Sequence, residues 1–287
     1  MIILKAPAKI NWSLSVFDKR DDGYHDILSL MQCVTLSDSL MFEHCNTLDV
    51  ITGAPIPLGD NLVHRAMVLL KERSGVREGA RIRLSKEIPV AAGLGGGSSD
   101  AAFTLMGLNL LWNLGMTHHE LAKIGETLGS DVPFFFHGPF SVIRGRGEIV
   151  SPVTPGISYA ILLVNPRTGI STAWAYAELD RGSASRVVLT KKDNNIKLLC
   201  QALEKGDFAS LSSMRRNDLE PLVIRRYPEI GEIRAELLKR GALFSSMSGS
   251  GPTVYGVFRN ENDAMKALEY MLPHWCRIVW TMTGSSE

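Results

Sequence analysis

The sequence has almost no net charge and no long apolar run. Its 31 basic and 30 acidic residues leave a formal net charge of +1, so no global field attracts nucleic acid or an anionic membrane. No apolar run reaches the length of about 18 residues that a transmembrane helix needs. We therefore expect neither nucleic acid nor a membrane as a partner, and any anion has to be bound locally.

Cysteine is also scarce. The four cysteines, Cys33, Cys45, Cys200 and Cys276, are widely spaced and form no CxxC pair. This spacing offers neither a zinc site nor a disulfide framework and suits a reducing compartment. The first residues contain no long apolar region followed by a small-residue cleavage site. We therefore expect a cytoplasmic protein whose cysteines are core thiols, with 45% hydrophobic residues to fill a large core.

Glycine is concentrated in residues 89–102, which read P-V-A-A-G-L-G-G-G-S-S-D-A-A. Gly93 and Gly95–Gly97 permit positive φ angles and leave the peptide N–H groups unscreened. Such a segment is typical of a phosphate cradle. The alternative is a turn that only joins a strand to a helix, although three consecutive glycines are costly in chain entropy.

The residues around these glycines predict a strand before them and a helix after them. Apolar and polar residues alternate over 81–88 until Pro89 ends the strand. The cap-type residues Ser98, Ser99 and Asp100 then open a helix, whose N-terminus attracts anions. Ser98 stands where a P-loop requires lysine and where a dinucleotide fingerprint requires glycine. Both of those motifs are therefore excluded.

The first strand and the turn after it carry polar residues of their own. Residues 8–16 alternate, so Lys9 and Asn11 share the face opposite the apolar positions. An edge strand with a solvated lysine is the alternative. Tyr24 and His25 follow a tight D-G turn, either as a simple hairpin tip or as a platform that stacks a planar base.

Two strands and a helix come next. The pattern predicts strands at 28–36 and 40–50, separated by a turn at Ser37–Ser39. Asp60 is expected to cap the following helix. Asn61 lies at the same helix start, where it either caps the helix or binds a ligand.

A single acidic residue stands out after the next predicted helix. Thr117 and Glu120 form a capping box at the start of that helix, and Gly129 ends it. Asp131 then precedes the apolar run 132–136, where partial burial would tune its basicity. The alternative is that Ser130 or Asp131 is an ordinary cap.

Residues 140–155 are rich in glycine, proline and charge, which places a domain boundary near 155. The second half then reads strand, helix, two further helices, helix, two strands, helix and strand. With the two middle helices as an insertion, this is the β-α-β-β-α-β order of a ferredoxin-like domain. The S-G-S-G-P segment at 248–252 joins the paired strands and either closes over phosphates or is only a connection.

Three segments resemble, in order and spacing, the motifs of the GHMP small-molecule kinases. They are P-A-K-I-N near the start, P-V-A-A-G-L-G-G-G-S-S-D-A-A in the middle and S-G-S-G-P near the end. The resemblance implies a two-domain α+β fold. Its N-terminal α/β-sandwich domain, at 1–155, would bind ATP, and its C-terminal ferredoxin-like domain would span 156–287.

Within that superfamily, the segments K-R-D-D-G-Y-H and G-S-D-V-P resemble a branch whose substrate is a polyol linked to cytidine diphosphate. The resemblance implies phosphorylation of the 2-hydroxyl of this polyol by ATP with Mg²⁺, a step of non-mevalonate isoprenoid precursor biosynthesis. Asp131 would accept the proton of the hydroxyl. Lys9 would keep Asp131 ionised and stabilise the migrating phosphoryl group. The sequence is compatible with a monomer and with a homodimer.

The resemblance also assigns two sets of binding residues. The ATP-binding residues would be Pro89, Val90, Ala91, Ala92, Gly93, Leu94, Gly95, Gly96, Gly97, Ser98, Ser99 and Asn61. The substrate-binding residues would be Asn11, Tyr24, His25, Lys86, Thr172 and Tyr176. Tyr24 and Tyr176 would hold the cytosine ring between them, and His25 would read its edge. Ser98 or Ser99 would contact the metal ion, whose acidic ligands the sequence does not indicate.

Two other functions are open at this point. Another kinase of the superfamily, acting on homoserine, mevalonate or phosphomevalonate, has no need of a base-stacking pair such as Tyr24 and His25. A nucleotide-binding module without catalysis has no need of both Lys9 and Asp131. These residues favour the kinase with a cytidine substrate.

Overall fold

The structure is a computed structural model that describes residues 1–154, 156–182 and 190–284. Its strands are β1 (Ile2–Lys19), β2 (His25–Cys45), β3 (Leu48–Thr52), β4 (Gly79–Ser85), β5 (Phe140–Arg144), β6 (Ile149–Pro152), β7 (Ala160–Asn165), β8 (Phe244–Met247), β9 (Val254–Phe258) and β10 (Trp275–Trp280). Its helices are α1 (Leu62–Ser74), α2 (Gly96–Leu111), α3 (His118–Gly125), α4 (Thr172–Arg181), α5 (Thr190–Lys205), α6 (Phe208–Met214), α7 (Glu220–Arg226), α8 (Pro228–Lys239) and α9 (Glu261–Leu268). Short 3₁₀ turns lie at Leu58–Asp60 and Pro133–Phe136. Within the described ranges, no helix combines the length and the apolar character needed to cross a membrane.

The chain forms two compact units that do not follow sequence order. Unit 1 comprises residues 1–8, 36–90 and 95–138, and unit 2 comprises residues 9–35, 91–94 and the described chain from 139 onward. The long strands β1 and β2 therefore contribute residues to both units. The domain limits of 1–155 and 156–287 remain a prediction.

Unit 1 combines a sheet with the helices α1, α2 and α3. The second part of β2 pairs with β4 in antiparallel fashion, and β4 pairs with β3 in parallel. Helix α1 packs on α2, and α2 packs on α3. The core is apolar, since Phe42, Met67, Leu70 and Ile82 are fully buried. This packing fixes the N-terminus of α2, where the glycine-rich segment ends.

Unit 2 contains a four-stranded antiparallel sheet in the order β10-β7-β9-β8. Helix α8 packs on β8 and β9, and α9 packs on β7, β9 and β10. The chain order and the strand order together confirm the predicted ferredoxin-like arrangement. In the same unit, the first part of β2 pairs with β5, and β5 pairs with β6. The sequence pattern does not predict β5, β6 or helix α7.

The predicted turn at Ser37–Ser39 is wrong, because β2 runs unbroken through these residues. Asp38 is fully buried and does not face solvent in a turn. One of its carboxylate oxygens accepts the backbone N–H groups of Glu87 and Ile88, at 2.6 and 2.9 Å. These long-range partners satisfy the buried carboxylate within a strand, whereas local propensity favours a turn at S-D-S.

The start of α1 is capped by the residue after the predicted one. The side-chain oxygen of Asn61 accepts the N–H of Val63 at 2.9 Å, and Asp60 ends a 3₁₀ turn. The capping interpretation of Asn61 is therefore confirmed, and the prediction that Asp60 is the cap is wrong. Asn61 is the cap because its backbone is extended where the chain enters the helix, which is the geometry of an N-cap.

The start of α2 is also different from the prediction. Gly95 occupies the N-cap position in a left-handed conformation, with φ +68° and no side-chain cap. Ser98, Ser99 and Asp100 therefore lie inside the helix, and their prediction as caps is wrong. Glycine adopts this conformation without steric cost, so the helix can begin earlier in the segment than polar caps indicate.

The capping box of Thr117 and Glu120 at α3 is confirmed. Helix α3 itself ends at Gly125, before the predicted end at Gly129. The four cysteines are free thiols, and Cys33 is the buried one. Burial raises the pKa of the Cys33 thiol far above its usual range. The expectation of core thiols therefore holds for Cys33, while the other three are partly exposed.

A glycine inside α2 yields a stability prediction for unit 1. A Cβ added to Gly107 would stand 2.2 Å from Cζ of Phe42. Alanine favours a helix over glycine by about 1 kcal/mol, but overpacking a core typically costs about 1–3 kcal/mol. We expect Gly107→Ala to lower the free energy of unfolding by about 1–2 kcal/mol in urea denaturation. Leu110→Ala, at an exposed position of the same helix, should change it by no more than about 0.5 kcal/mol. A Gly107→Ala protein as stable as the wild type would contradict this packing.

Candidate active site

The glycine-rich segment opens α2 in unit 1. The first intrahelical hydrogen bond runs from the N–H of Ser99 to the carbonyl of Gly95, at 2.9 Å. The N–H groups of Gly96, Gly97 and Ser98 precede that bond and therefore have no partner within the helix. These donors lie at the positive end of the helix and are suited to bind phosphate. Ser99 is different, because its N–H is used and its hydroxyl is fully buried.

Lys86 lies against this helix start. A Cβ added to Gly96 would stand 3.3 Å from the ammonium nitrogen of Lys86. The ammonium contacts the carboxylate of Asp38 and, at 2.7 Å, the carboxylate of Asp100. Both carboxylates are almost completely buried, so one from β2 and one from α2 fix the cation. Lys86, expected in the substrate pocket, thus has two protein partners in unit 1.

Asp100 has only part of its carboxylate satisfied in this cluster. Its Oδ2 accepts from Lys86, while its Oδ1 is buried and has no hydrogen-bond partner among the described residues. Burial raises the pKa of Asp100 to about 7, since Lys86 offsets only part of the desolvation and Asp38 adds repulsion. Asp100 therefore titrates close to neutral pH.

Asp131, the predicted base, is partly buried in unit 1. The 3₁₀ turn that follows has Val132 at its N-cap, and Asp131 directly precedes that position. Ser98 lies near this segment, since its hydroxyl would be 3.8 Å from a Cβ on Gly129. The start of α2 and the segment that leads to Asp131 are therefore close to each other within unit 1.

Lys9 and Asn11 lie buried on β1 in unit 2, with 3% and 2% of their surface exposed. The alternative of an edge strand with a solvated lysine is therefore wrong. The Lys9 ammonium donates to Oδ1 of Asn11 at 2.7 Å, and the Asn11 amide donates to Oγ of Ser29 at 2.8 Å. The backbone N–H of Lys9 donates to the carbonyl of Leu94 at 2.9 Å. A buried cation with fixed oxygen partners is suited to act on an anionic group.

The S-G-S-G-P segment, which we call loop 248–252, contacts the glycine-rich segment within unit 2. Oγ of Ser248 donates to the carbonyl of Gly93 at 2.9 Å, and the N–H of Thr253 donates to the carbonyl of Ala92 at 3.2 Å. A Cβ on Gly93 would stand 2.3 Å from the carbonyl oxygen of Ser248. Glycine is therefore the residue that this approach requires.

Loop 248–252 also contacts two of the predicted site residues. Gly249 has φ +57°, and a Cβ on it would stand 3.3 Å from the ammonium nitrogen of Lys9. The hydroxyls of Ser250 and Thr172 lie 2.8 Å apart. The loop therefore contacts both the predicted catalytic lysine and the first residue of α4, and it is more than a connection between strands.

His25 and Tyr176, two predicted substrate residues, are stacked in unit 2. Their ring centroids are 5.5 Å apart, with an interplanar angle of 28°. Nδ1 of His25 lies 2.9 Å from the carbonyl oxygen of Phe17, which can only accept, so Nδ1 carries a hydrogen. Nε2 lies 3.1 Å from a carboxylate oxygen of Asp180. The histidine ring is thus fixed in its orientation.

Tyr24 has a different neighbour from the stacked pair. Its side chain is about half exposed, and the guanidinium of Arg146 lies 5.2 Å from the centroid of its ring. The structure therefore pairs Tyr24 with Arg146, and Tyr176 with His25. The predicted enclosure of cytosine by Tyr24 and Tyr176 stays a prediction.

Several residues of these networks escape prediction from the sequence. Asp38 reads locally as a turn residue, and Ser29 has no distinguishing neighbours. Asn217, whose amide donates to the carbonyls of Met247 and Gly249, lies in a segment without a motif. Asp100 offers the one usable signal, because it directly follows the glycine and serine residues of the predicted phosphate cradle. The other three act through partners far away in the sequence.

Comparison with known protein families identifies both halves of the chain. The model of the GHMP kinases N terminal domain matches residues 61–139, and that of the GHMP kinases C terminal domain matches residues 199–277. The chain therefore belongs to the GHMP kinase family and is a small-molecule kinase, with ATP as co-substrate.

Its branch within that family is that of the 4-diphosphocytidyl-2-C-methyl-D-erythritol kinases. The chain is 46% identical to such a kinase from Thermodesulfovibrio yellowstonii over 282 residues, which cover 98% of each chain. It superposes on a crystal structure of 4-(cytidine 5'-diphospho)-2C-methyl-D-erythritol kinase with a TM-score of 0.83 and 31% identity, covering 99% of this chain and 100% of the other. A homoserine kinase from Cytophaga hutchinsonii has a TM-score of 0.76 at 21% identity, with 99% and 95% coverage, and shares the fold alone.

The raised pKa of Asp100 predicts how stability depends on pH. The folded state holds the Asp100 proton more tightly than the unfolded chain, in which the pKa is close to 4. The stabilising contribution of this proton is therefore complete only below about pH 4 and is lost as the pH rises from there through about 7. We compare the free energy of unfolding of Asp100→Asn with that of the wild type. As the pH rises from 4.5 to 7.5, we expect the difference to change in favour of Asp100→Asn by about 2 kcal/mol.

Urea denaturation at a series of pH values measures this difference. Asp60→Asn changes an exposed carboxylate of the same unit and should follow the wild-type curve. Parallel curves for the wild type and Asp100→Asn would show that the buried cluster holds Asp100 ionised throughout.

Proposed function

We propose that the chain transfers the γ-phosphoryl group of ATP to the 2-hydroxyl of 4-(cytidine 5'-diphospho)-2-C-methyl-D-erythritol, giving the 2-phosphate and ADP. This step belongs to the non-mevalonate route to isoprenoid precursors. The observation that carries the proposal is the buried ammonium of Lys9, which contacts Asn11 and packs against loop 248–252. The identity of 46% with a kinase named for this substrate supports it.

Phosphoryl transfer needs alignment and charge neutralisation more than covalent participation of the protein. In our proposal, Asp131 accepts the proton of the 2-hydroxyl while the oxygen of that hydroxyl bonds to the γ-phosphorus. The bond between the γ-phosphorus and the bridging oxygen of ATP breaks, and ADP leaves with that oxygen. Lys9 stabilises the negative charge on the transferring group. A positioned base contributes about 10²- to 10⁴-fold to the rate.

The glycine-rich segment, Pro89 to Ser99, binds the phosphates of ATP in this proposal, and Asn61 lies near the nucleotide. The N–H groups at the start of α2 that have no partner within the helix support this role. Mg²⁺ prefers oxygen ligands and would bind together with the phosphates of the nucleotide. The hydroxyl of Ser98, in the first turn of α2, fits such a cation, which would neutralise phosphate charge. Lys86, held by two carboxylates, acts by supporting this helix start.

The base-binding part of the proposal rests on the stacked pair of His25 and Tyr176. Stacking a base on an aromatic ring contributes about 1–3 kcal/mol. The carbonyl of Phe17 already accepts the hydrogen of Nδ1 of His25. In this proposal Nε2 is therefore the atom that contacts the edge of the base, and it exchanges its contact with Asp180 for this one. Asn11, Thr172 and Tyr24 complete the substrate site in this proposal.

The four free cysteines are compatible with the reducing cytoplasm. We propose a cytoplasmic enzyme that acts as a monomer or a homodimer, on small molecules and without nucleic acid or a membrane.

An acceptor panel tests the proposed function. The protein, ATP and Mg²⁺ are incubated separately with 4-(cytidine 5'-diphospho)-2-C-methyl-D-erythritol, homoserine, mevalonate and phosphomevalonate, and ADP is measured. We expect acceptor-dependent ADP with the cytidine compound alone, because the stacked aromatic pair suits a base that the other acceptors lack. A reaction with chelator in place of Mg²⁺ is the control. Higher kcat/KM with homoserine or a mevalonate compound would refute the assignment.

Substitution of the two proposed catalytic residues separates chemistry from binding. We expect Asp131→Asn to lower kcat by about 10²- to 10⁴-fold with little change in either KM, because the proton acceptor matters in the transition state. Lys9→Met should also lower kcat strongly. Glu126→Gln removes another carboxylate of unit 1 and should leave kcat unchanged. Normal turnover by Asp131→Asn would mean that another group takes the proton, and a change of KM alone in Lys9→Met would make that residue a binding group.

A further inference from the structure

The segment 215–218, which joins α6 to α7, is attached to β1 within unit 2. The N–H of Leu14 donates to the carbonyl of Arg216 at 2.8 Å, and the N–H of Asp218 donates to the carbonyl of Leu14 at 3.0 Å. The N–H of Val16 donates to the carboxylate of Asp218 at 2.9 Å. The segment is thus fixed to the strand that carries Lys9.

Asn217 lies in the middle of that segment and bridges to loop 248–252. Its amide nitrogen donates to the carbonyl of Met247 at 3.0 Å and to the carbonyl of Gly249 at 2.8 Å. Its Oδ1 accepts the N–H of Leu219 at 3.1 Å. With 6% of its surface exposed, Asn217 has each polar atom of its side chain engaged in a buried hydrogen bond.

The carbonyl that Asn217 holds belongs to the glycine that packs against the catalytic lysine. A Cβ on Gly249 would stand 3.3 Å from both Nζ of Lys9 and Oδ1 of Asn11. The hydroxyl of Tyr255 also donates to the backbone carbonyl of Asn11, at 2.9 Å. The position of Gly249 therefore determines how much space is left beside the Lys9 ammonium.

Loop 248–252 needs such an attachment. Gly249 and Gly251 both have positive φ, and a loop with two glycines in five residues has many accessible conformations. The preceding residues are anchored independently, because the buried carboxylate of Glu220 accepts from Oγ of Ser246 at 3.1 Å and from the N–H of Met247 at 3.2 Å. Asn217 extends this anchoring by two residues, to Gly249.

We propose that Asn217 is a positioning residue that holds loop 248–252 against the ammonium of Lys9 in the arrangement that phosphoryl transfer needs. The inference rests on the proposed function for its catalytic part and on the hydrogen bonds of unit 2 for its structural part. Asn217 acts through Gly249 and Lys9 and does not itself contact the reacting atoms.

Two variants test the proposal. Asn217→Asp keeps the size of the side chain but sets a carboxylate against two carbonyl oxygens, and Asn217→Ala removes both donors. We expect Asn217→Asp to lower kcat by about 10²-fold, because small displacements of a catalytic group have effects of that size. Asn217→Ala should lower kcat less, and KM for the cytidine substrate should stay unchanged in both.

Tyr159→Phe is the matched control. It removes a buried hydrogen bond of the same unit, from the Tyr159 hydroxyl to the carbonyl of Leu203, without touching loop 248–252. The thermal unfolding temperatures of this control and of the Asn217 variants are compared, so that a loss of kcat can be separated from general destabilisation. We expect this variant to keep wild-type kcat even where its unfolding temperature falls as far as that of the Asn217 variants.

Hydrogen exchange followed by mass spectrometry provides a readout that does not depend on activity. The N–H of Gly251 donates to the carbonyl of Ser248 at 2.9 Å, so its exchange reports on the loop. We expect faster exchange over residues 248–252 in both Asn217 variants and wild-type exchange in Tyr159→Phe. Unchanged exchange, or faster exchange with unchanged kcat, would overturn the proposal. A wild-type protein inactive towards the acceptor would refute the proposed function instead, while exchange would still decide whether Asn217 holds the loop.

Discussion

An ammonium group inside a protein is stable only where oxygen atoms take the place of water, and the Lys9 side chain imposes this condition on unit 2. Desolvation of such a cation costs several kcal/mol unless hydrogen bonds replace its hydration. Asn11 supplies one oxygen, and Ser29 of β2 holds the Asn11 amide. The hydroxyl of Ser29 donates in turn to the carbonyl of Ser13, at 2.7 Å. The consecutive strands β1 and β2 are therefore joined by a chain of buried side-chain hydrogen bonds that begins at a single charge.

Close backbone contact is the second constraint, and it explains where the glycines of unit 2 lie. A Cβ on Gly93 would overlap the carbonyl oxygen of Ser248 at 2.3 Å, and a Cβ on Gly249 would be in tight contact with the ammonium nitrogen of Lys9 at 3.3 Å. The two glycine loops thus depend on each other for their conformation, through the hydrogen bond from Ser248 to Gly93. The phosphate binding that we propose for the glycine-rich segment would therefore depend on the pair of loops and not on one motif alone.

Local patterns predict what local forces determine. The alternation of residues 8–16 correctly puts Lys9 and Asn11 on one face, and the capping box of Thr117 and Glu120 correctly starts a helix. The strand and helix order of the second half likewise predicts the sheet of unit 2. These features follow from periodicity and from hydrogen bonds between near neighbours, which a single sequence displays.

Features that depend on distant partners are not predictable in this way. Asp38 looks like a turn residue because its partners, Lys86 and two backbone N–H groups, are about fifty positions away. Asn217 gains its importance only from contacts with Met247 and Gly249.

The chain segments that make up unit 2 determine how the protein can be divided into fragments. A fragment that begins after residue 155 lacks β1, and its segment 215–218 loses the hydrogen bonds that attach it. Reassembly from two separately produced pieces would therefore require the first piece to donate a strand to the second.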